Sequence, residues 1–396
     1  MGAGTALQAA AGVDDDAERL YREYMALNQW QVVPGLVGGD ESRARSHLAK
    51  GGGQGLVDAL RRAATELGID IALGRRIDRL LTDGSGAVTG AAVGDDEITA
   101  GATVITTGGF GANRALLHER FPSVCYEDWT WYIGADGSRG DAFTLVARID
   151  GATEGHDRGL RTLEPHWIQR NEAMTPGWMV YVDASGRRII DETAPYGLLD
   201  AMVRSRGNVV YAIFDDAAIH PDPDRAEFYR HAYKAVWPGH GPFEPRNWCG
   251  DVVDAVVAEG RLVPHDSVAG LAEAVGVDPT ALVGTIERYN RFVAEGRDTD
   301  FGKAGKFLAP IARPPFYGVL VRPTVVNLTS SGLRIDADTR VLTNRGAPIP
   351  GLHAAGECVG GIIGPVYVGS GNSLGTCTTM GRVAGRTAAT TSIGAT

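Results

Sequence analysis

Ile349-Pro350-Gly351-Leu352-His353-Ala354-Ala355-Gly356-Glu357 leads into Gly360-Gly361, then Tyr367-Val368-Gly369-Ser370-Gly371-Asn372-Ser373-Leu374-Gly375, and then Gly381-Arg382-Val383-Ala384-Gly385. Gly351 to Ala355 reads as a strand, and a helix is expected to begin near Gly371 or Asn372 and run towards Thr390. Strand, glycine-rich turn and helix in that order make an α/β element. Glycines 369 and 371 let the backbone come close to a ligand, and the helix N-terminus behind them offers N–H groups to negative charge. The same glycines, with Gly375, Gly381 and Gly385, equally suit close packing of the helix on a neighbour. Both readings stay open on these residues alone.

Upstream, amphipathic helices are expected from Asp15 to about Asn28 and from Gly55 to Leu67, the second with Leu56, Val57, Leu60 and Ala63 on one side. Gly51-Gly52-Gly53-Gln54-Gly55 is read as the loop before that helix, since it follows no strand. Ile69 to Leu73, Arg76 to Leu81, Ala87 to Val93 and Ala102 to Thr106 read as short strands, the middle two joined by the Asp83-Gly84-Ser85-Gly86 turn. Past Arg139 the character changes. Trp, Tyr, His and Pro become frequent, and strands at Trp178 to Asp183 and Val209 to Phe214 alternate with loops. Asp278 to Glu295 has the strongest helix signal, with an Asp278-Pro279 start, apolar Leu282, Val283, Ile286, Tyr289 and Phe292, and a Gly296 stop. From Pro314 the α/β character returns with a strand through Val319 to Val326 and a hairpin near Arg334 to Leu342. The division that follows is 1–140, 141–308 and 309–396, the outer two parts forming one α/β domain interrupted by the middle one.

The 396 residues carry a formal net charge of −10 and show no Lys/Arg-rich run, which disfavours nucleic acid and acidic membranes as partners. No basic segment followed by an apolar stretch opens the chain and no stretch of about eighteen apolar residues occurs, so a cytoplasmic protein without a membrane span is expected. Cys125, Cys249, Cys358 and Cys377 lack CxxC spacing, so neither a metal site nor a disulfide framework is expected.

The segments quoted at the outset, together with Thr107-Gly108-Gly109-Phe110, Ser185-Gly186-Arg187-Arg188-Ile189-Ile190-Asp191-Glu192, Tyr211-Ala212-Ile213-Phe214-Asp215, Arg288 to Gly302 and Pro315-Phe316-Tyr317, resemble the fumarate reductase / succinate dehydrogenase family of FAD-dependent flavoproteins. In motif they are most similar to its 3-ketosteroid dehydrogenases, and the similarity covers most of residues 50 to 396. The resemblance implies an α/β fold, an FAD-binding Rossmann-like domain with an inserted α+β cap that closes substrate over the flavin. It implies cofactor contacts from Thr107, Gly108 and Gly109 near the ADP portion, from Gly356 and Glu357, and from Asn372, Ser373 and Leu374 along the pyrimidine edge. A flavin that takes up hydride becomes negative around N1 and O2, where a helix N-terminus is favourable.

The activity implied is desaturation of a C–C bond adjacent to a ketone, or the reverse ene reduction, on an apolar ketone or steroid-like substrate. Tyr367 and Gly371 resemble the hydroxyl and N–H that grip the ketone, and Tyr196, in Glu192-Thr193-Ala194-Pro195-Tyr196, resembles the base. A free phenol has a pKa of about 10, so a base of this kind needs neighbouring donors or positive charge. Glu192 is either a relay to Tyr196 or a residue that holds its loop. Trp129, Trp131, Trp167 and Trp178 are candidate pocket walls, though such residues are more often core, and His166 reads as structural. Reduction of a dicarboxylate such as fumarate calls for arginine and histidine side chains. Here Tyr367 stands where that branch has an arginine, Asn327-Leu328 replaces a histidine pair, and Ile219 falls near its proton-donating arginine, so a fumarate reductase-like activity is the weaker alternative.

Family members open with a strand leading into GxGxxG, which seats the FAD pyrophosphate. No such element precedes Gly4-Thr5-Ala6-Leu7-Gln8. The FAD-binding domain is therefore expected to be incomplete, with a second polypeptide as the possible source of the missing element. A flavin-free remnant or partner subunit is a further alternative.

Overall fold

The computed structural model describes residues 31–33, 46–126, 130–169, 172, 175–194, 196–232, 245–364, 367 and 371–393. The helix expected from Asp15 to Asn28 lies outside them, as do Trp129, Gly369 and Ser370. A short antiparallel pair, β1 (Gln31–Val33) and β2 (Ser46–Leu48), precedes α1 (Gly52–Glu66). The helix starts three residues before the expected Gly55. Gly51 supplies its left-handed N-cap with φ of 81°, so the glycine string is the helix start and not only the loop before it. Of the expected apolar face only Leu56 is buried; Val57 and Leu60 are half exposed.

β3 (Arg79–Thr82), β4 (Val88–Val93) and β5 (Asp96–Thr99) form an antiparallel meander, and the Asp83 carboxylate folds its first turn by accepting from Ser85 N and Ala87 N. β5 was not foreseen, because Asp-Glu-Ile-Thr carries a weak strand signal that pairing with β4 overrides. Ile69 to Leu73 is the converse case. Its alternating Ile69, Ile71 and Leu73 stay exposed, and the segment forms no strand because nothing among the described residues pairs with it.

β6 (Thr103–Ile105) leads to the turn at Thr107, and β7 (Trp131–Tyr132) and β8 (Thr153–Glu154) are two-residue strands. The largest sheet is built from β9 (Gly159–Glu164), β10 (Val180–Asp183), β11 (Val210–Asp215) and β12 (Phe316–Thr329), with β7 on its edge. The 14-residue β12 is the spine. Its first half pairs with β11 from Phe316↔Asp215 to Val321↔Val210, and its second half pairs with β9 from Arg322↔Glu164 to Thr329↔Gly159.

One face of this sheet carries the Trp167, Trp178, Tyr181, Phe214, Trp248 and Tyr317 core. Trp178 stacks on Tyr229 at 3.7 Å, and Trp167 meets Trp248 edge on while its indole N–H donates to Asn247 O, so both tryptophans are core and not pocket walls. α2 (Tyr196–Ser205) leans on the sheet through Leu199 and Val203. The other face packs against α3 (Val268–Val275) and α4 (Pro279–Glu295). α4 matches its sequence signals closely. Asp278 caps it by accepting from Ala281 N at 2.7 Å, Gly296 closes it with φ of 66°, and Leu282, Ile286, Tyr289 and Phe292 are buried.

β13 (Gly332–Leu333) pairs with β8, and β14 (Arg340–Leu342) and β15 (Pro348–Ala354) complete the strands. β15 lies between β14 and β6 and runs parallel to β6. α5 (Asn372–Ile393) follows and packs across β15 and β6. No helix among the described residues is long and apolar enough to cross a membrane.

Candidate functional site

Parallel pairing of Leu352 with Thr103 and of Ala354 with Ile105 sends two turns out of one sheet edge: Thr107-Gly108-Gly109 after β6 and Gly356-Glu357 after β15. The carboxyl ends of parallel strands are where α/β sheets receive ligands. The first turn of α5, with Asn372, Ser373 and Leu374, belongs to the helix packed on the same two strands. The structure thus brings the two turns to one edge, and α5, whose first turn carries the other three expected residues, packs beside it through Cys377. Gly356 has φ of 87° and Gly108 has φ of 74°, conformations that favour glycine, and a Cβ on Gly356 would stand 3.7 Å from Cys377 Sγ of α5. The buried Cys358 donates to Ile105 O and Ala355 O, and burial pushes its thiol up to about 12, so it stays a protonated packing group.

Glu357 bridges the two turns. Its Oε1 accepts from Thr329 N at 2.9 Å and from Thr329 Oγ1 at 3.0 Å, while Phe110 N reaches the same hydroxyl at 3.3 Å. Burial raises the carboxyl above its ordinary value, against the opposing effect of the Thr329 donors. Gly109 lies directly beneath. A Cβ there would overlap both Glu357 Oε1 and Thr329 Oγ1, with Glu357 Cδ at 2.7 Å. Gly109→Ala is therefore expected to cost roughly 1–3 kcal/mol through overpacking and to weaken cofactor binding by displacing Glu357. Urea unfolding and a flavin titration of the variant would check both.

Three hydroxyls around this edge, Thr107 Oγ1, Ser330 Oγ and Ser331 Oγ, are buried without a hydrogen-bond partner among the described residues. Buried hydroxyls of this kind normally have partners, so three of them on the turn after β6 and just past the end of β12 fit a polar ligand such as the flavin dinucleotide. Sequence reading missed Thr329, Ser330 and Ser331, because they end a long strand and no local pattern marks that end as part of a site.

Tyr367 is 6% exposed and its ring lies 6.0 Å from that of Tyr196 at an interplanar angle of 30°. Leu328 completes the buried cluster, with Leu160 and Ile363 packed against it. The Tyr367 phenol oxygen accepts from Ser373 N at 3.1 Å and its O–H points to Ser373 Oγ at 3.2 Å. An N–H from the first turn of α5 therefore falls on the oxygen of a candidate donor, which polarises its O–H bond. Gly371, at φ of 83°, precedes that turn. So Tyr196 and Tyr367, 171 positions apart in the chain, meet beside the first turn of α5, with Gly371 just ahead of it.

Glu192 has a different setting. Its carboxylate is inaccessible and fully engaged: Oε1 accepts from Arg188 Nε at 2.8 Å and Tyr181 N at 2.9 Å, and Oε2 from Arg188 Nη2 at 2.8 Å and Lys303 Nζ at 2.6 Å. Arg188 also grips Asp298 at 2.7 Å. Burial works to raise the Glu192 carboxyl, but the Lys303 and Arg188 charges together outweigh it and hold it below its ordinary value. Lys303 was not anticipated. Arg187 lies exposed on the far side of the same turn. His166 sits in an exposed turn where its carbonyl accepts from Arg261 at 3.3 Å, and Arg139-Gly140-Asp141 is the turn that starts a short helix.

Residues 8–374 match the family model described as FAD binding domain. A probable fumarate reductase of Shewanella frigidimarina is 30% identical over 363 residues, 87% of this chain and 54% of the relative. A 3-oxosteroid 1-dehydrogenase of Mycobacterium tuberculosis is 24% identical, over 92% of this chain and 69% of the relative. Among solved structures, the 3-ketosteroid-Δ4-(5α)-dehydrogenase of Rhodococcus jostii in complex with 4-androstene-3,17-dione superposes with a TM-score of 0.64 at 25% identity, covering 86% of this chain and 64% of that one. The chain thus spans about half the length of the fumarate reductase and just under two thirds of the Rhodococcus structure.

Proposed function

This chain belongs to the FAD binding domain family, and from that premise we propose that it serves an FAD-dependent oxidoreductase acting on a C–C bond next to a ketone in an apolar, steroid-like substrate. The observation that carries the reading is the stacked pair Tyr196 and Tyr367 at 6.0 Å, walled by Leu160, Leu328 and Ile363 and set against the first turn of α5. In a ketone the carbonyl oxygen and the α-carbon are separated by one carbon, so two phenols this close can address both. FAD, when bound, supplies the hydride acceptor, or the donor in the reverse direction.

Every other role falls to the chain. Tyr367 exchanges its hydrogen bond to Ser373 Oγ for one to the ketone oxygen, while Ser373 N–H keeps its phenol polarised. Gly371 N–H is the second donor to that oxygen, and Tyr196 takes the α-proton. The apolar wall excludes water and strengthens both donors. Glu192 holds the loop that leads into α2, the role its four donors favour over that of a relay. Thr107, Gly108, Gly109, Gly356, Glu357, Asn372, Ser373 and Leu374 form the flavin side of the site. Residues 1–140 and 309–396 make up the FAD-binding part and 141–308 the cap, with the pyrophosphate seat supplied from outside the described residues, by a second polypeptide if need be.

The apolar lining also argues against the fumarate reductase-like reading, since a dianion there would face two phenols and three aliphatic side chains. A decisive experiment mixes purified protein with FAD and 4-androstene-3,17-dione. Flavin bleaching, with appearance of the unsaturated product, is expected. A preparation that retains no flavin once unbound FAD is removed, and that no partner chain restores, or one that reduces fumarate and ignores the ketone, would overturn the reading.

A further inference from the structure

Tyr196 is the first residue of α2, and the first turn of a helix lacks the N-terminal backbone bonds that fix later turns. Something else must set its position. One turn further on, Asp200 is 5% exposed, and Arg161 of β9, 1% exposed, donates to its Oδ1 from Nε at 2.6 Å. The guanidinium also donates through Nη1 to Ser123 O at 2.8 Å and to Ser123 Oγ. Ser123 is itself tied down by donating its N–H to Asp157 at 2.9 Å, and Arg204 approaches the second Asp200 oxygen at 3.4 Å. The neighbouring residue of β9, Leu160, packs against the Tyr196 and Tyr367 cluster. β9 therefore holds α2 directly at Asp200 and borders, through Leu160, the cluster that contains Tyr196; Tyr196 and Asp200, four residues apart, share a helix face.

We propose that Arg161 and Asp200 are positioning residues for Tyr196, a buried ion pair whose function is to set the height and rotation of α2 so that the phenol meets its substrate. The proposal rests on the reading of Tyr196 as the base. Stability alone does not explain the pair, because the desolvation of two buried charges roughly cancels their attraction, and apolar replacements of similar volume are commonly tolerated. Geometry does explain it. A hydrogen-bonded ion pair permits one register of helix on strand, whereas a methionine against a leucine permits several.

The test uses the full chain with FAD, as the double variant Arg161→Met with Asp200→Leu, which removes both members of the pair together so that neither is left buried and charged without the other; Arg204, the less buried neighbour of Asp200, stays in place. With 4-androstene-3,17-dione, kcat is expected to fall about 10- to 100-fold while KM changes less than about threefold, the pattern of a misplaced base. A second readout does not depend on turnover: ring carbon labelling of tyrosine, with the Tyr196 resonance assigned by its loss in Tyr196→Phe. That resonance is expected to shift or broaden in the folded double variant and to recover in Asp200→Glu with Arg161→Lys. Wild-type kcat together with an unmoved Tyr196 resonance in the folded double variant would overturn the pair. A moved resonance in a protein whose wild type ignores the ketone would leave the positioning intact and sink the functional reading instead.

Discussion

Tyr367→Phe is expected to lower kcat for ketone turnover by about 10²- to 10³-fold, the cost of deleting one well-aimed donor to an enolate-like transition state. The loss belongs in kcat more than in KM, because the ketone oxygen gains negative charge as the α-proton leaves and the donor acts most strongly then. The geometry sharpens the expectation: Ser373 N–H at the start of α5 donates to the Tyr367 oxygen, so the phenol is polarised before substrate arrives. Deleting the hydroxyl also strands the half-buried Ser373 N–H, so stability should fall by about 1–3 kcal/mol. Flavin affinity should hold, since the ring of residue 367 and its contacts with Tyr196 and Leu328 remain. The measurement is stopped-flow bleaching of the flavin by 4-androstene-3,17-dione, for wild type and variant at saturating ketone. Equal rates would remove Tyr367 from the chemistry and reduce it to an aromatic wall. Tyr196→Phe carries a complementary expectation, loss of the α-proton acceptor, and exchange of the substrate's α-hydrogens with solvent would report it without hydride transfer.

The residues of this site differ in how far they could be read from sequence, and the reason is physical. The strand into Gly356, the glycine turn and the start of α5 were visible because they are local signals, and these elements form where expected, whereas Glu357 was singled out only by the family resemblance. The same is true of α4, whose Asp278 cap, apolar spacing and Gly296 stop all lie within one element. Thr329 was invisible. Its hydroxyl matters only because the far end of a 14-residue strand passes under Glu357 and Gly109, and that contact joins residues 28 and 220 positions apart in the chain. Ile69 to Leu73 failed in the opposite way: alternating apolar residues announce a strand, but a strand exists only with a pairing partner. Trp167 and Trp178 were candidates for both pocket and core, and only the edge-on contact of Trp248 with the first and the stacking of Tyr229 on the second decide for core.

Glu192 poses the sharpest choice between chemistry and architecture, and Glu192→Gln separates the two. The amide keeps the shape but removes the charge that balances Arg188 and Lys303, both of which are buried with it. Removing one partner of such a cluster typically costs about 3–5 kcal/mol, because the remaining charges lose their compensation in a place water cannot reach. As a loop-holding residue, Glu192 should reveal itself through a lowered urea midpoint, with kcat per folded, flavin-bound molecule kept within a few-fold. A relay would show the reverse, kcat lost and the midpoint kept. The pH dependence gives an independent sign. Lys303 and Arg188 hold the folded Glu192 carboxyl below its ordinary value, so the stability it contributes is complete above the unfolded carboxylate pKa of about 4.3 and is lost as pH falls through the lower folded value. Wild type should therefore lose stability more steeply than Glu192→Gln on acidification below that point. Asp298, also held low by Arg188 in opposition to its burial, supplies a slope of the same sign that persists in the variant. Denaturation midpoints measured across the acid limb would show the two curves converging, and parallel curves would mean that Glu192 is already protonated in the fold.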